Sequence, residues 1–129
     1  MRVTISRLDA KFSRYIRWVR DSGRCQRCLT KYEEGSSGLH CSHFHGRSKK
    51  SVRFDPDNCM ALCFGCHQHF TAFPIEHMEF MLKRLGKKRF DELSVRAYDA
   101  KRPDYKLLEI WLGRMLGEAK GGEVFGKRG

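Results

Sequence analysis

Two Cys-x-x-Cys pairs constrain the fold of this 129-residue chain more than any other feature of its sequence. They are Cys25–Cys28 and Cys63–Cys66, and 34 residues separate them. A two-residue spacer lets a tight turn aim both sulfurs at one ion, and two such turns complete a tetrahedral four-cysteine site. The sequence therefore predicts one structural Zn²⁺ per chain, which would contribute folding free energy to the polar segment between the pairs.

Other interpretations of the cysteines stay open at this point. The four could be buried or free thiols, or a different tetrad could draw on Cys41 with His40 or His43. We favour the matched pairs, because the alternative tetrad would break them up. All six cysteines lie between residues 25 and 66, a distribution unlike a disulfide framework. Cys41 and Cys59 are left over, and we expect them to be free thiols, which are commonly buried.

Charge and composition limit the class of partner. The chain has 26 Lys and Arg against 15 Asp and Glu, a formal charge of +11, and 40% of its residues are hydrophobic. This excess favours a polyanion, with nucleic acid first and a membrane surface second. No apolar run approaches the roughly 20 residues that cross a bilayer. The start lacks the pattern of a secretory signal, so we expect a cytoplasmic protein.

Apolar residues at helical spacing predict helices on both sides of the cysteine-rich segment. The first covers residues 6–21, where Ser6 and Asp9 resemble a capping box and arginines form a basic face. A short helix is expected to begin near 61–65, and further helices are predicted over residues 75–86, 88–98 and 105–119. In the helix over 88–98, we expect Phe90, Leu93 and Val95 to point inward.

These elements predict a single domain. A basic N-terminal helix occupies residues 1–23 and a zinc-bound core residues 24–72. A helical extension follows over 73–120, with a flexible tail over 121–129. The extension could pack on the core, bind DNA or form a homodimer.

Three residues between and beside the cysteine pairs resemble the HNH endonuclease motif of the ββα-metal superfamily. They are His43, Asn58 and His67; Asn58 lies nine positions before His67, which directly follows the second pair. Over about residues 13–90 the sequence is also similar to phage NinG- and Rap-type recombination endonucleases. The similar segments are Tyr15–Asp21, Ser42–Phe44 and Val52–Asn58.

The resemblance implies an α+β fold, a small zinc-stapled, treble-clef-like ββα core flanked by helices. It also implies a metal-dependent DNA endonuclease that leaves a 5′-phosphate and a 3′-hydroxyl. His43 would be the general base, because a neutral imidazole can take the proton of water. Asn58 would hold the loop, and its side-chain oxygen could orient His43 or reach the ion. His67 would bind a catalytic divalent ion such as Mg²⁺ or Mn²⁺.

The chain departs from the family pattern at Ser42. Many relatives carry Asp or His before the base as a metal ligand, and a serine is a poor substitute. His45, Asp55 or Asp57 could compensate, or water could complete the ion's shell. The remaining histidines, His40, His69 and His77, are expected to be structural or solvated.

Basic residues near these positions predict contact with DNA phosphates. They lie on the first helix and on the loop over residues 47–53, and no acidic residue interrupts that loop. The predicted contacts are Arg14, Arg17, Arg20, Arg47, Lys49, Lys50 and Arg53. The alternative to an endonuclease is a non-catalytic zinc module that binds nucleic acid, or a recombination accessory protein.

Overall fold

Five α-helices and one two-stranded sheet make up the part of the chain that the computed structural model describes, residues 3–99 and 101–118. The bounds in chain order are α1 Ile5–Arg14, β1 Leu39–His43, β2 Cys59–Cys63, α2 Phe64–Ala72, α3 Pro74–Leu85, α4 Lys87–Ala97 and α5 Tyr105–Met115. A π-helical turn over Tyr15–Arg20 continues α1. Short 3-10 turns cover Lys50–Val52 and Pro56–Asn58.

The strands and the helix that follows them form the predicted ββα core. β1 and β2 pair antiparallel, with Leu39 opposite Cys63 at one end and His43 opposite Cys59 at the other. α2 begins directly after β2, because the Cys63 side chain caps it by accepting from the Cys66 backbone N–H. The predicted α+β class with a zinc-stapled core is confirmed.

The first helix begins earlier than the sequence indicated. Thr4 is its N-cap, and its hydroxyl accepts from the Arg7 N–H at 3.3 Å. The prediction that Ser6 caps the helix is therefore wrong, since Ser6 already lies inside it. The chain then widens into the π-helical turn, where the Asp21 N–H bonds to the Ile16 carbonyl at 3.0 Å.

Two hydrophobic clusters place the hairpin between two groups of helices. One cluster joins the strands to α2, α3 and α4; its buried members include Leu62, Phe70, Met81 and Leu93. The other joins α1, the π-helical turn and α5; its buried members include Leu8, Phe12, Ile16, Phe54 and Leu112. Hairpin residues belong to both clusters, so both help to position residues at its end.

The later helices agree with the sequence in position but not in every detail. Leu93 and Ala97 form the buried face of α4, whereas Val95 is 74% exposed, so its predicted inward orientation is wrong. Residues four positions apart share a helix face, and Val95 falls between them. α5 ends at Met115, before the predicted end at residue 119, and Gly117 follows with φ 71°.

The predicted tail over 121–129 lies outside the described residues. Across the described ranges, none of the helices combines the length and the apolar character that a membrane crossing requires.

Candidate metal centre and active site

The four paired cysteines converge on one point. Their sulfur atoms all lie within 4.8 Å of one another, and the sulfurs of Cys28 and Cys63 are 3.9 Å apart. Local structure brings the two cysteines of each pair together. The Leu29 N–H bonds to the Cys25 carbonyl across the first turn, and the second pair spans the start of α2. Leu29 adopts φ 67°, which closes that turn.

Two thiols of this cluster differ in how readily they ionise. A hydrogen bond with Thr30 lowers the pKa of the Cys28 thiol to about 6. Burial raises the pKa of Cys66 to about 12, against the Arg27 guanidinium that donates to its sulfur at 3.4 Å. Four convergent sulfurs of this kind fit a structural Zn²⁺, which binds thiolates in tetrahedral geometry.

His43 lies at the end of β1 with one ring nitrogen engaged. Its Nε2 is 2.9 Å from the carbonyl oxygen of Arg53. A carbonyl only accepts, so Nε2 carries the proton and the lone pair of the neutral ring is on Nδ1. Burial, and secondarily the charge of Arg47, lowers the pKa of His43, while the Arg53 carbonyl opposes the shift. A neutral imidazole with a free Nδ1 is the form that a general base requires.

Asn58 closes the loop that follows His43. Its amide oxygen accepts from the His45 N–H at 2.8 Å, and its amide nitrogen donates to the carbonyls of His45 and Val52 at 2.9 and 3.1 Å. The side chain is fully buried. The predicted loop-holding role has this geometry, whereas the predicted reach to a catalytic ion does not, because the amide is enclosed and engaged on both atoms.

His67 lies in the first turns of α2, on the side of the hairpin that carries His40. The two rings are 5.7 Å apart between centroids, and burial, with a contribution from His40, lowers the pKa of His67. Its Nδ1 is buried without a hydrogen-bond partner. An unsatisfied buried ring nitrogen fits a metal ligand. His67 joins no group of three ligand atoms found within the described residues, so water and DNA phosphate would supply most of the shell of an ion there.

The residues that could replace the ligand missing at Ser42 differ in availability. Ser42 itself is buried. Asp55 is bonded to Arg96 at 2.8 Å, and Asp57 to Arg89, so both carboxylates are already neutralised by α4. His45 has a buried Nε2 without a partner, which leaves it the better placed of the three for a ligand role.

The arginines of the first helical segment make internal contacts. Arg20 donates to the carbonyls of Pro56 and Cys59, both at 2.6 Å, and pairs with Asp21 at 2.8 Å. Arg17 donates to the Leu39 carbonyl at 3.3 Å, and Arg14 pairs with Glu118 at 2.8 Å. Arg53, in the predicted loop, pairs with Asp9 at 2.6 Å. DNA contact by these four stays a prediction, since each has a protein partner.

Three basic residues of the loop are different. Arg47 and Lys50 are exposed, and Lys49 is half-buried with its amine 4.5 Å from the centre of the Tyr98 ring. No ion pair to any of the three occurs within residues 3–99 and 101–118. Together, Arg47, Lys49 and Lys50 form a basic loop beside His43. The hydrogen bonds of the Asn58 side chain hold the same segment of chain.

The comparison with protein families gives a match. Residues 25–73 match the family model described as HNH endonuclease. This segment is therefore similar to an HNH domain. HNH endonucleases are generally phosphodiester hydrolases. The matched HNH segment contains both cysteine pairs together with His43, Asn58 and His67. Neither the search of curated proteins nor that of solved structures gives a match.

One residue that positions the matched segment was missed from the sequence. Asp21, almost fully buried, accepts from the Ala61 N–H at 2.8 Å and contacts the guanidinium groups of Arg20 and Arg84. It stands at no diagnostic spacing, because Asp21 is 40 positions from Ala61. His77 in α3, which the sequence indicated as structural or solvated, stacks on Phe70 at 4.7 Å and has a buried, unpartnered Nε2.

Proposed function

We propose that this chain is a metal-dependent DNA endonuclease with His43 as its general base. The observation that carries the proposal is the Nε2–H bond of His43 to the Arg53 carbonyl, which leaves Nδ1 as the proton acceptor. The match of residues 25–73 to the HNH endonuclease family supports the same chemistry.

The proposed reaction begins with DNA held by its backbone. Arg47, Lys49 and Lys50 lie on the loop that the Asn58 side chain holds, and they bind DNA phosphates. The scissile phosphate therefore lies in front of His43. His43 Nδ1 takes a proton from a water molecule, whose oxygen attacks phosphorus in line with the leaving 3′-oxygen. The P–O3′ bond breaks and the leaving 3′-oxygen takes a proton from solvent water, which leaves a 5′-phosphate and a 3′-hydroxyl.

His67 is the residue that we assign to a catalytic divalent ion, Mg²⁺ or Mn²⁺, with His45 as a second candidate ligand. Such an ion, when bound, neutralises the charge that develops on the phosphate and the leaving oxygen. His67 presents a neutral ring with a free nitrogen, which is the form that binds metal. Zn²⁺ at the four-cysteine cluster has a separate, structural role.

The narrower parts of the proposal concern the biological setting. The similarity of residues 13–90 to phage NinG- and Rap-type enzymes supports a role in phage recombination or DNA processing, in the cytoplasm of the host cell. We further propose one domain, with the core at 24–72 and helical flanks. Exposed apolar side chains on α5, such as Leu107 and Ile110, are available for a homodimer contact.

A cleavage assay across duplex, nicked, flap and junction DNA with Mg²⁺ or Mn²⁺ tests the function. We expect wild type to cut at least one substrate, and His43→Ala to lose cleavage while it keeps its zinc and its DNA affinity. His69→Ala is the matched control, since His69 contacts Glu76 on the surface and should be dispensable.

A second function is favoured by one observation: Ser42 is buried and supplies no ligand to an ion. The corresponding function is a zinc-stabilised DNA-binding module or recombination accessory without catalysis. If wild type binds DNA but cuts none of the substrates with any divalent ion, this second function replaces the first.

A further inference from the structure

A second group of metal-ligating side chains lies on the hairpin, apart from the four-cysteine cluster. The sulfurs of Cys41 and Cys59 and a ring nitrogen of His43 all lie within 4.8 Å of one another. The strand register explains the grouping: His43 pairs directly with Cys59, and Cys41 stands two positions before His43, on the same face of β1. The leftover cysteines of the sequence therefore meet at the proposed base.

We infer that Cys41, His43 and Cys59 form a binding site for Zn²⁺ or a similar thiolate-seeking ion, and that occupation of this site blocks the base. The inhibitory part rests on the proposed function, whereas the binding part does not.

The ligand chemistry selects a borderline or soft ion. Two thiolates and an imidazole are ligands that Zn²⁺ prefers, and the two thiolates select against Mg²⁺. In a tetrahedral zinc site with Zn–S bonds of roughly 2.3 Å, two sulfurs stand about 3.8 Å apart, so the observed grouping needs little adjustment.

The surroundings suit a buried site of zero net charge. Cys59 is buried, and Cys41 is half-buried against the cluster that contains Phe12, whose ring is 6.3 Å from the ring of His43. Two thiolates neutralise a dication, which removes most of the cost of holding an ion away from water.

Competition between this ion and catalysis follows from the tautomer of His43. Its Nε2 carries a proton that is donated to Arg53, so the neutral ring has one lone pair, on Nδ1. An ion bound through that lone pair removes the group that would accept the proton of water. The same chain would thus use zinc twice, once to hold the fold and once to inhibit cleavage.

Zinc binding by the full chain, kept reduced with a phosphine and loaded with one equivalent of Zn²⁺, tests the inference. We expect wild type to bind a second equivalent. The affinity for the second equivalent should fall by more than roughly tenfold in Cys41→Ser, Cys59→Ala and His43→Ala. Roughly tenfold is the loss expected when only a residue that supports a ligand is removed. His69→Ala should keep the second equivalent. Each variant is included only if it retains its first equivalent and unfolds cooperatively; the three substitutions provide independent tests.

Inhibition is measured as cleavage with Mn²⁺ or Mg²⁺ against rising Zn²⁺, with each protein compared with its own zinc-free rate. Cys41→Ser should need more than about ten times the Zn²⁺ that half-inhibits wild type. A single equivalent in wild type, or an unchanged second equivalent in the three variants, overturns the inference. Loss of cleavage that requires an oxidant rather than Zn²⁺ also overturns it, and indicates a Cys41–Cys59 disulfide. If no protein cleaves DNA, the endonuclease proposal fails, and the binding data still decide the site.

Discussion

The two basic segments of this protein look equivalent in sequence and differ in structure. The arginines of α1 and the π-helical turn contact carbonyls and carboxylates of the protein. In the loop, Arg47 and Lys50 are exposed and Lys49 packs on the Tyr98 ring, and none of the three has an acidic partner among the described residues. A positive charge with a buried partner stabilises a fold, and one in solvent remains available to phosphate. The comparison indicates that one part of the net charge of +11 stabilises the fold and another part remains available to phosphate.

The largest effect that separates the two segments is expected from Arg20→Ala. It removes two short bonds to the carbonyls of Pro56 and Cys59 and one partner of the buried Asp21. We expect the free energy of unfolding to fall by about 3 kcal/mol, as for a buried ion pair that loses one partner. Urea denaturation measures this change. An unchanged midpoint of urea denaturation together with weaker DNA binding would show that Arg20 contacts DNA.

Asn58→Ala should give the next largest effect, because it acts on the support of the basic loop. The change leaves the His45 N–H and two carbonyls without their buried partner, which should cost about 2 kcal/mol. The substitution should also weaken DNA binding through disorder of the loop. Denaturation and proteolysis of the loop measure the two effects. Unchanged stability with a lower affinity for Mg²⁺ or Mn²⁺ would instead make Asn58 a ligand.

The triple variant Arg47→Ala, Lys49→Ala and Lys50→Ala should separate binding from stability. A plot of log affinity against log salt has a negative slope, and each lost phosphate contact makes it shallower by about 0.9. We therefore expect the magnitude of the slope to decrease by roughly 2 to 3. The free energy of unfolding should change by less than about 0.5 kcal/mol each for the exposed Arg47 and Lys50, and by up to about 1 kcal/mol for Lys49, whose amine contacts the Tyr98 ring. Fluorescence anisotropy over a range of salt concentrations measures the slope. An unchanged slope would remove the loop from the interface.

Arg14→Ala should have the smallest effect and serves as the matched arginine for Arg20. Its single described partner is Glu118, and both side chains are partly exposed, so the pair is expected to contribute less than about 1 kcal/mol. DNA affinity should change by less than it does in the triple variant. A loss as large as that of the triple variant would show that α1 contacts DNA in spite of its ion pairs.

Much of the candidate site could be predicted from local spacing. The two-residue spacers of the cysteine pairs place sulfurs on one turn, and the order of His43, Asn58 and His67 resembles a known motif that the family comparison bears out. The positions of α3 and α4 also followed from periodicity. Details that depend on neighbours did not follow, such as the exposed Val95 and the cap at Thr4.

The sequence by itself determined the zinc cluster and the type of site, because these depend on residue type and short separations along the chain. Only the tertiary structure decided which charges are free and where the leftover cysteines lie. Lys11 meets Glu118 across 107 positions, and Cys41 meets Cys59 through strand pairing. Such contacts depend on how the hairpin packs against the helices. The burial of apolar surface that drives this packing is not directional, so local sequence does not specify which residues meet.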